Sequence, residues 1–201
     1  MKLYVGLAAA AAATAMIGAA VAADSDFVIR GNDAKQLLEQ NSINVATAEK
    51  IAKACVDEAV KEKVGVSIVI YDQYGEPVYY YRMDGQSRTA IETAMMKAKT
   101  TLNTRRPSKA AMNAVRNGGS EAQQILFGNF ANSGGLPIFI NNGTQFIGAI
   151  GVGGSAPRVP EWSDEVCAWR ALNKVMGPQP ALLPDIPRRN ADAAAPARGN
   201  G

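Results

Sequence analysis

Three stretches of the chain carry residue types and spacings able to do chemistry. The first is Tyr81-Arg82-Met83-Asp84-Gly85. Alternation along a strand puts Val78, Tyr80 and Arg82 on one face, and an Arg at a strand end presents a planar fork of donors to a carboxylate or phosphate. Asp84 is placed to orient that Arg; the plainer alternative is an Arg82–Asp84 pair that merely shapes the turn. The second is Thr93, Lys97, Thr100 and Thr104, which recur at helical spacing on one face. Three threonines and a lysine are poor in the charges of a solvated face. They suit the lining of a polar pocket or a subunit contact, with Thr101 beside them. The third is Gly134-Gly135-Leu136-Pro137-Ile138 together with Gly148-Ala149-Ile150-Gly151-Val152-Gly153-Gly154-Ser155. Glycines in and after strands admit a ligand or another stretch of backbone, and the residues alone favour neither. No Gly-Lys-Ser/Thr follows, and no strand-to-helix context makes a dinucleotide fingerprint.

Composition excludes other chemistry. The 201 residues contain no His, so Ser-His-Asp and Cys-His catalysis and His-ligated metals are ruled out. Two Cys far apart, Cys55 and Cys167, make no metal-binding or redox pair in sequence. A net charge of +3 is too small to argue for nucleic acid.

The elements that must position these residues follow from patterning. Lys2, the apolar Ala-rich run Leu3–Ala19 and the small residues Ala20–Ala23 before Asp24 predict a signal peptide over 1–23. The protein is then expected to be periplasmic or secreted, with no membrane span after cleavage. Residues 24–43 form a lead-in segment with a short helix at Asp33–Gln40. Asn44 caps a helix over 45–63, and Val66–Tyr71 and Val78–Met83 form a hairpin around Asp72–Glu76. Ser87 caps a helix over 88–104, whose core stripe is Ile91, Ala94, Met95, Ala98 and Leu102. Pro107 opens a shorter helix ending near Asn117, and Glu121–Phe130 is helical. Leu136–Ile140 and Gln145–Ile150 flank Asn142-Gly143, a strong hairpin signal. A last helix over 163–176 stops at Gly177-Pro178. The result is one α+β domain over 44–177, an antiparallel sheet built from hairpins with flanking helices. Residues 178–201, with Pro178, Pro180, Pro184, Pro187 and Pro196, read as a disordered Pro/Ala-rich tail.

An oxidising compartment permits a Cys55–Cys167 bridge. Helical phase puts Cys55 on the core stripe Val45, Ala48, Ala52, Cys55, Val56 and Ala59. Cys167 falls off the stripe Val166, Trp169, Leu172 and Met176, which favours two separate thiols.

In order along residues 43–177, Arg82-Met83-Asp84-Gly85, Lys97-Ala98-Lys99-Thr100-Thr101, Gly134-Gly135-Leu136-Pro137-Ile138, Gly148–Gly154 and Asp164-Glu165 resemble the GlcG/HbpS family, also called the haem-degrading domain family. The resemblance implies a profilin-like layout, assembly into dimers or larger homo-oligomers, and membership in a group of which some members bind haem outside the cytoplasm, others sit beside glycolate metabolism and many have no established activity. The expected function is binding of a small anionic or planar molecule, foremost haem held without covalent attachment and without a His ligand. The ligand-binding residues expected are Arg82, Asp84, Lys97, Thr101, Gly151, Gly153 and Gly154; no metal-ligating set is expected. The alternatives are an enzyme acting on a small carboxylate or carbonyl compound, with Lys97 or Asp164 in acid–base work, and a ligand-free oligomeric interaction module.

Overall fold

The computed structural model describes residues 41–141, 143–155 and 161–187. The signal peptide, nearly all of the lead-in segment with its short helix, Asn142 and residues 188–201 lie outside them.

Four strands form one sheet in the order β2-β1-β4-β3: β1 Ser67–Asp72, β2 Pro77–Arg82, β3 Gly135–Ile140 and β4 Gln145–Gly153. Both expected hairpins are present, β1 with β2 and β3 with β4, and β1 joins them by pairing antiparallel with β4 from Ser67↔Gly153 to Asp72↔Gly148. β4 runs three residues beyond the expected Ile150, because β1 continues to pair with it. The architecture is the α+β class read from the sequence.

Five helices flank the sheet among the described residues: α1 Val45–Lys61, α2 Arg88–Thr104, α3 Lys109–Arg116, α4 Glu121–Leu126 and α5 Asp164–Met176. Asn44 caps α1 by accepting from the Thr47 amide at 2.9 Å, and Ser87 caps α2 by accepting from Ala90. α2 stops where Arg105 turns into the left-handed region at φ 52°. α3 begins two residues later than Pro107 suggests. Ser108 is used elsewhere: its hydroxyl donates to the Asn132 carbonyl at 2.6 Å and accepts from the Gly135 amide at 2.9 Å, pinning the start of β3.

The two faces of the sheet are built differently. Ile68, Ile70, Leu136, Ile138, Ile150 and Val152 face α1 and α5 in the main core. Each fully buried branched side chain contributes roughly 1.5–3 kcal/mol there. Val69 and Tyr71 face α2, against Ile91, Ala94 and Ala98. On this second face a Cβ on Gly153, Gly151 or Gly135 would strike the backbone carbonyls of Ala90, Ala94 and Lys97 in turn. The glycines therefore let successive turns of α2 lie directly on β4 and β3. Of the two readings open from the sequence, ligand approach or close backbone packing, Gly151 and Gly153 take the second.

Two expectations fail. Cys55 and Cys167 form a disulfide between α1 and α5, with Cα atoms 5.1 Å apart. The helical phase of α5 misled because Val166, Trp169 and Met176 of the expected stripe are only half-buried, whereas the small residues Cys167, Ala168 and Ala171 line the core beside Leu172. Small side chains let α5 pack tightly on Ala48, Ala52 and Cys55. The expected disordered tail does not begin at Pro178. Residues 178–187 carry no regular element, yet they are tied down. Gln179 exchanges hydrogen bonds with both backbone groups of Phe139 on the edge strand β3, at 3.3 and 3.2 Å. The carbonyls of Leu183, Pro184 and Ile186 accept from Lys109, Asn113 and Arg116 of α3. Composition gave no sign of this, because backbone carbonyls rather than side chains make most of the bonds.

Candidate functional site

Lys97 is the centre of the site. It lies mid-helix in α2 on the Thr/Lys face and is 4 % exposed. A buried ammonium must be paired and hydrogen-bonded to remain there. Its Nζ donates to Asp164 Oδ2 at 2.6 Å and to the Val152 carbonyl of β4 at 2.9 Å. Gly134, at φ 118°, makes the approach possible: a Cβ there would press on Lys97 Nζ and on the Asp164 side chain.

Asp164 is the first residue of α5, behind the cap Ser163. The orphan amides and dipole of a helix N-terminus favour a carboxylate at that position. Its second oxygen, Oδ1, accepts from the Ser155 amide at 3.1 Å and the Ser155 hydroxyl at 2.5 Å. A continuous polar chain thus runs Ser155–Asp164–Lys97. The chain borders a groove of about 290 Å³ whose walls include Gln86, Ser87, Thr89, Thr93 and Asn132, at the N-terminal end of α2. An ammonium carries three N–H donors. Two are engaged, and the third has no protein partner among the described residues.

The neighbouring residue enters a second pair. Glu165 is 1 % exposed, and its Oε2 meets Lys109 Nζ at 2.5 Å. Burial pushes the Glu165 carboxyl above its ordinary value, against the opposing pull of Lys109. Burial pulls Lys109 down, but Glu165 and Asp185 together outweigh it and hold the ammonium above its ordinary value. This pair lies under residues 183–185, where Lys109 also meets Asp185 at 3.2 Å.

The expected binding residues are only partly brought together. Lys97 and Gly154 border the groove. Thr101 lies one turn further along α2, fully buried against Gly135, its hydroxyl without a partner. Gly151 and Gly153 are covered by α2. Arg82 is exposed at the end of β2, and its Nη1 donates to the Gln86 carbonyl at 3.2 Å. No ion pair joins it to Asp84, so the expected orienting role of Asp84 is not realised. Arg82 reaches the groove only through the backbone of Gln86, because the side chain at this strand end points to solvent. The Thr/Lys face divides: Thr93 and Lys97 border the groove, whereas Thr100 accepts from the Phe130 amide at 2.7 Å and is closed over. Sequence reasoning left Ser155 and the carboxylate of Asp164 out of the binding set. Asp164 was marked only as part of the family-like Asp164-Glu165 motif and as an acid–base candidate of the enzyme alternative, with nothing in the sequence to pair it with Lys97.

Among the described residues no group of His, Cys, Asp or Glu is arranged to hold a metal ion, and no helix is long and apolar enough to cross a membrane.

A sequence model described as haem-degrading protein HbpS-like matches residues 43–173. A Citrobacter freundii protein, named an uncharacterized 15.0 kDa protein in the dhaT-dhaS intergenic region, is 30 % identical over 121 residues, covering 56 % of this chain and 80 % of that protein. Among solved structures, Klebsiella pneumoniae protein ORFY superposes with a TM-score of 0.61 at 26 % identity, over 70 % of this chain and 95 % of the other. HbpS gives 0.61 at 27 % identity, over 75 % and 99 %. A complex of PduOC with haem gives 0.57 at 20 % identity, over 65 % and 93 %, and shares the fold.

Proposed function

The chain belongs to the HbpS-like haem-degrading protein family, and on that premise we propose that it is a secreted or periplasmic protein that binds a small anionic molecule in the Lys97–Asp164 groove. The single observation that carries this is the third N–H of a buried, paired ammonium bordering an open groove. A carboxylate on the ligand would accept from it, and Thr89, Thr93 and Gln86 supply hydroxyl and amide partners for a hydroxyl or carbonyl group beside it. The leader residues Lys2 and Ala20–Ala23 support the location. Homo-oligomerisation is part of the same reading. Its support is the exposed run Ile125, Leu126 and Phe127 in and after α4, which are 67 %, 84 % and 63 % exposed.

Haem is the ligand of PduOC. The groove does not fit it. A porphyrin needs broad apolar walls and an axial ligand, whereas these walls are polar, the volume is about 290 Å³ and the chain has no His. The apolar cavity between Leu136, Phe139, Trp169 and Pro180 holds only about 100 Å³. Haem is therefore placed in no step of this account.

A second reading, an enzyme acting on a small carboxylate or carbonyl compound, is favoured by one feature. The Ser155–Asp164–Lys97 chain could pass a proton to or from a bound substrate.

Calorimetric titration with lactate, a minimal hydroxy-carboxylate, and spectral titration with haemin test the proposal. Lactate should bind the wild-type chain and lose at least tenfold in affinity in Lys97→Ala, the scale expected for one charge-assisted hydrogen bond. Haemin bound tightly, and equally by both proteins, would overturn the groove assignment.

A further inference from the structure

Asp164 and Glu165 are consecutive residues in the first turn of α5, yet they serve different regions. Asp164 holds Lys97 at the groove, and Glu165 holds Lys109 beneath residues 178–187. α5 also anchors that segment directly. Trp169 Nε1 donates to the Pro180 carbonyl at 3.0 Å, and the Gln179 amide donates to Asn173 Oδ1 at 3.0 Å. We propose that residues 178–187 form a strap that governs the groove: seated, it holds Glu165 inward and thereby keeps Asp164 on Lys97; released, it frees Lys97. The proposal rests on the groove being the binding site, and it names the regulation of that site.

The physical reasoning runs through the helix turn. Asp164 and Glu165 leave consecutive backbone positions of one turn, so an outward shift of that turn carries both carboxylates. The disulfide at Cys167 fixes the helix immediately beyond, which confines the movement to that first turn. What keeps Glu165 inward is the cover above it. Leu183 and Pro184 bring carbonyls to Lys109 and Asn113, and Asp185 brings a second carboxylate to Lys109. Removing that cover lets water reach the pair and takes away the reason for a buried carboxylate to stay buried.

The cluster under the strap is also incompletely satisfied. Glu165 Oε1 and Asn113 Oδ1 are both buried without a partner among the described residues. Such groups carry a desolvation cost that is relieved when the segment lifts. Asp185 is 74 % exposed, and Arg116 reaches it only at 4.0 Å, so the ion pairs on the outer side of the strap are weak and solvated, and the Arg116 bond to the Ile186 carbonyl is its main outer tie. The strap is therefore an element that opens while the core stays folded. Lys97 and Glu165 also feel each other through space, which ties the two lysine pairs electrostatically as well as mechanically.

Lysine labelling tests the coupling without any ligand. The intact chain is treated with an amine-acylating reagent, and each lysine is followed by peptide mass spectrometry. In the wild type, Lys97 and Lys109 should react at least tenfold more slowly than the exposed Lys53. In Asp185→Lys, which sets a cation against Lys109 and Arg116, and in Gln179→Ala/Asp185→Lys, Lys109 should accelerate at least tenfold and Lys97 at least threefold. Lys53 should not change. Acceleration of Lys109 with Lys97 unaltered would overturn the coupling. No acceleration of Lys109 in either variant would overturn the strap itself. Because no ligand enters the assay, it can fail while lactate binding at the groove stands, or succeed while that binding fails.

Discussion

Among the described residues two buried lysine–carboxylate pairs start from adjacent carboxylates and end in opposite situations. In Lys97–Asp164 the carboxylate is the better satisfied: Asp164 has Ser155 and a helix N-terminus in addition to the lysine. It borders a groove. Lys109–Glu165 is buried, and one carboxylate oxygen has no partner among the described residues. The difference separates two uses of a buried charge. A satisfied pair beside open space can lend a donor to a visitor, while a covered, partly satisfied pair holds a piece of chain in place and makes that piece removable.

The largest effect that would break this comparison comes from the covered pair. Lys109→Ala leaves Glu165 buried without a counter-charge, and stability should fall by about 3–5 kcal/mol. Denaturant titration measures it. Glu165→Gln in the same background should restore part of the loss; no restoration would mean that packing, rather than charge, was lost.

Lys97→Ala should cost less, roughly 1–3 kcal/mol, because Asp164 keeps both bonds from Ser155 and can draw water from the groove. Equal losses for the two lysines would erase the distinction between an open pair and a covered one.

The pH dependence sharpens the contrast. The Glu165 carboxyl is raised above 4.5 in the folded protein. Between 4.5 and that raised value the folded state binds more protons than the unfolded state, so this group's contribution to stability is lost as pH rises through the window. Glu58 behaves oppositely. Its hydrogen bond from Lys61, at 2.7 Å, holds it below 4.5, so its contribution is present above 4.5 and fades as pH falls. The wild type should therefore lose stability relative to Glu165→Gln as pH is raised above 4.5. Melting curves across acid pH check this, and a difference independent of pH would contradict it.

The smallest effects belong to the exposed cations. Arg82→Ala should change lactate affinity less than threefold, since Arg82 meets only the Gln86 carbonyl. Arg106→Ala should change it as little. A tenfold loss in Arg82→Ala alone would return Arg82 to the site.

The fold was largely legible in the sequence, because local rules govern what it contains. Alternating apolar residues and tight turns set the hairpins, and Asn44 and Ser87 announced two helix starts. Lys97 was legible from its company: a lysine among threonines at helical spacing, on a face too uncharged for water. Its partner was not. Asp164 is 67 positions away, and nothing local pairs them. Arg82 drew attention through its residue type, but a strand end at the sheet's edge put it in solvent. Cys167 escaped because Val166, Trp169 and Met176 are only half-buried, and the close contact with α1 selects small residues beside Leu172. The strap escaped because its hydrogen bonds are made largely by backbone carbonyls, which no composition reveals.

The most direct measurement is native mass spectrometry of the full chain and of Lys97→Ala, each purified without added ligand. The wild type should retain a small acidic molecule that is absent from Lys97→Ala. Identical spectra for the two proteins, whether both loaded or both empty, would contradict it.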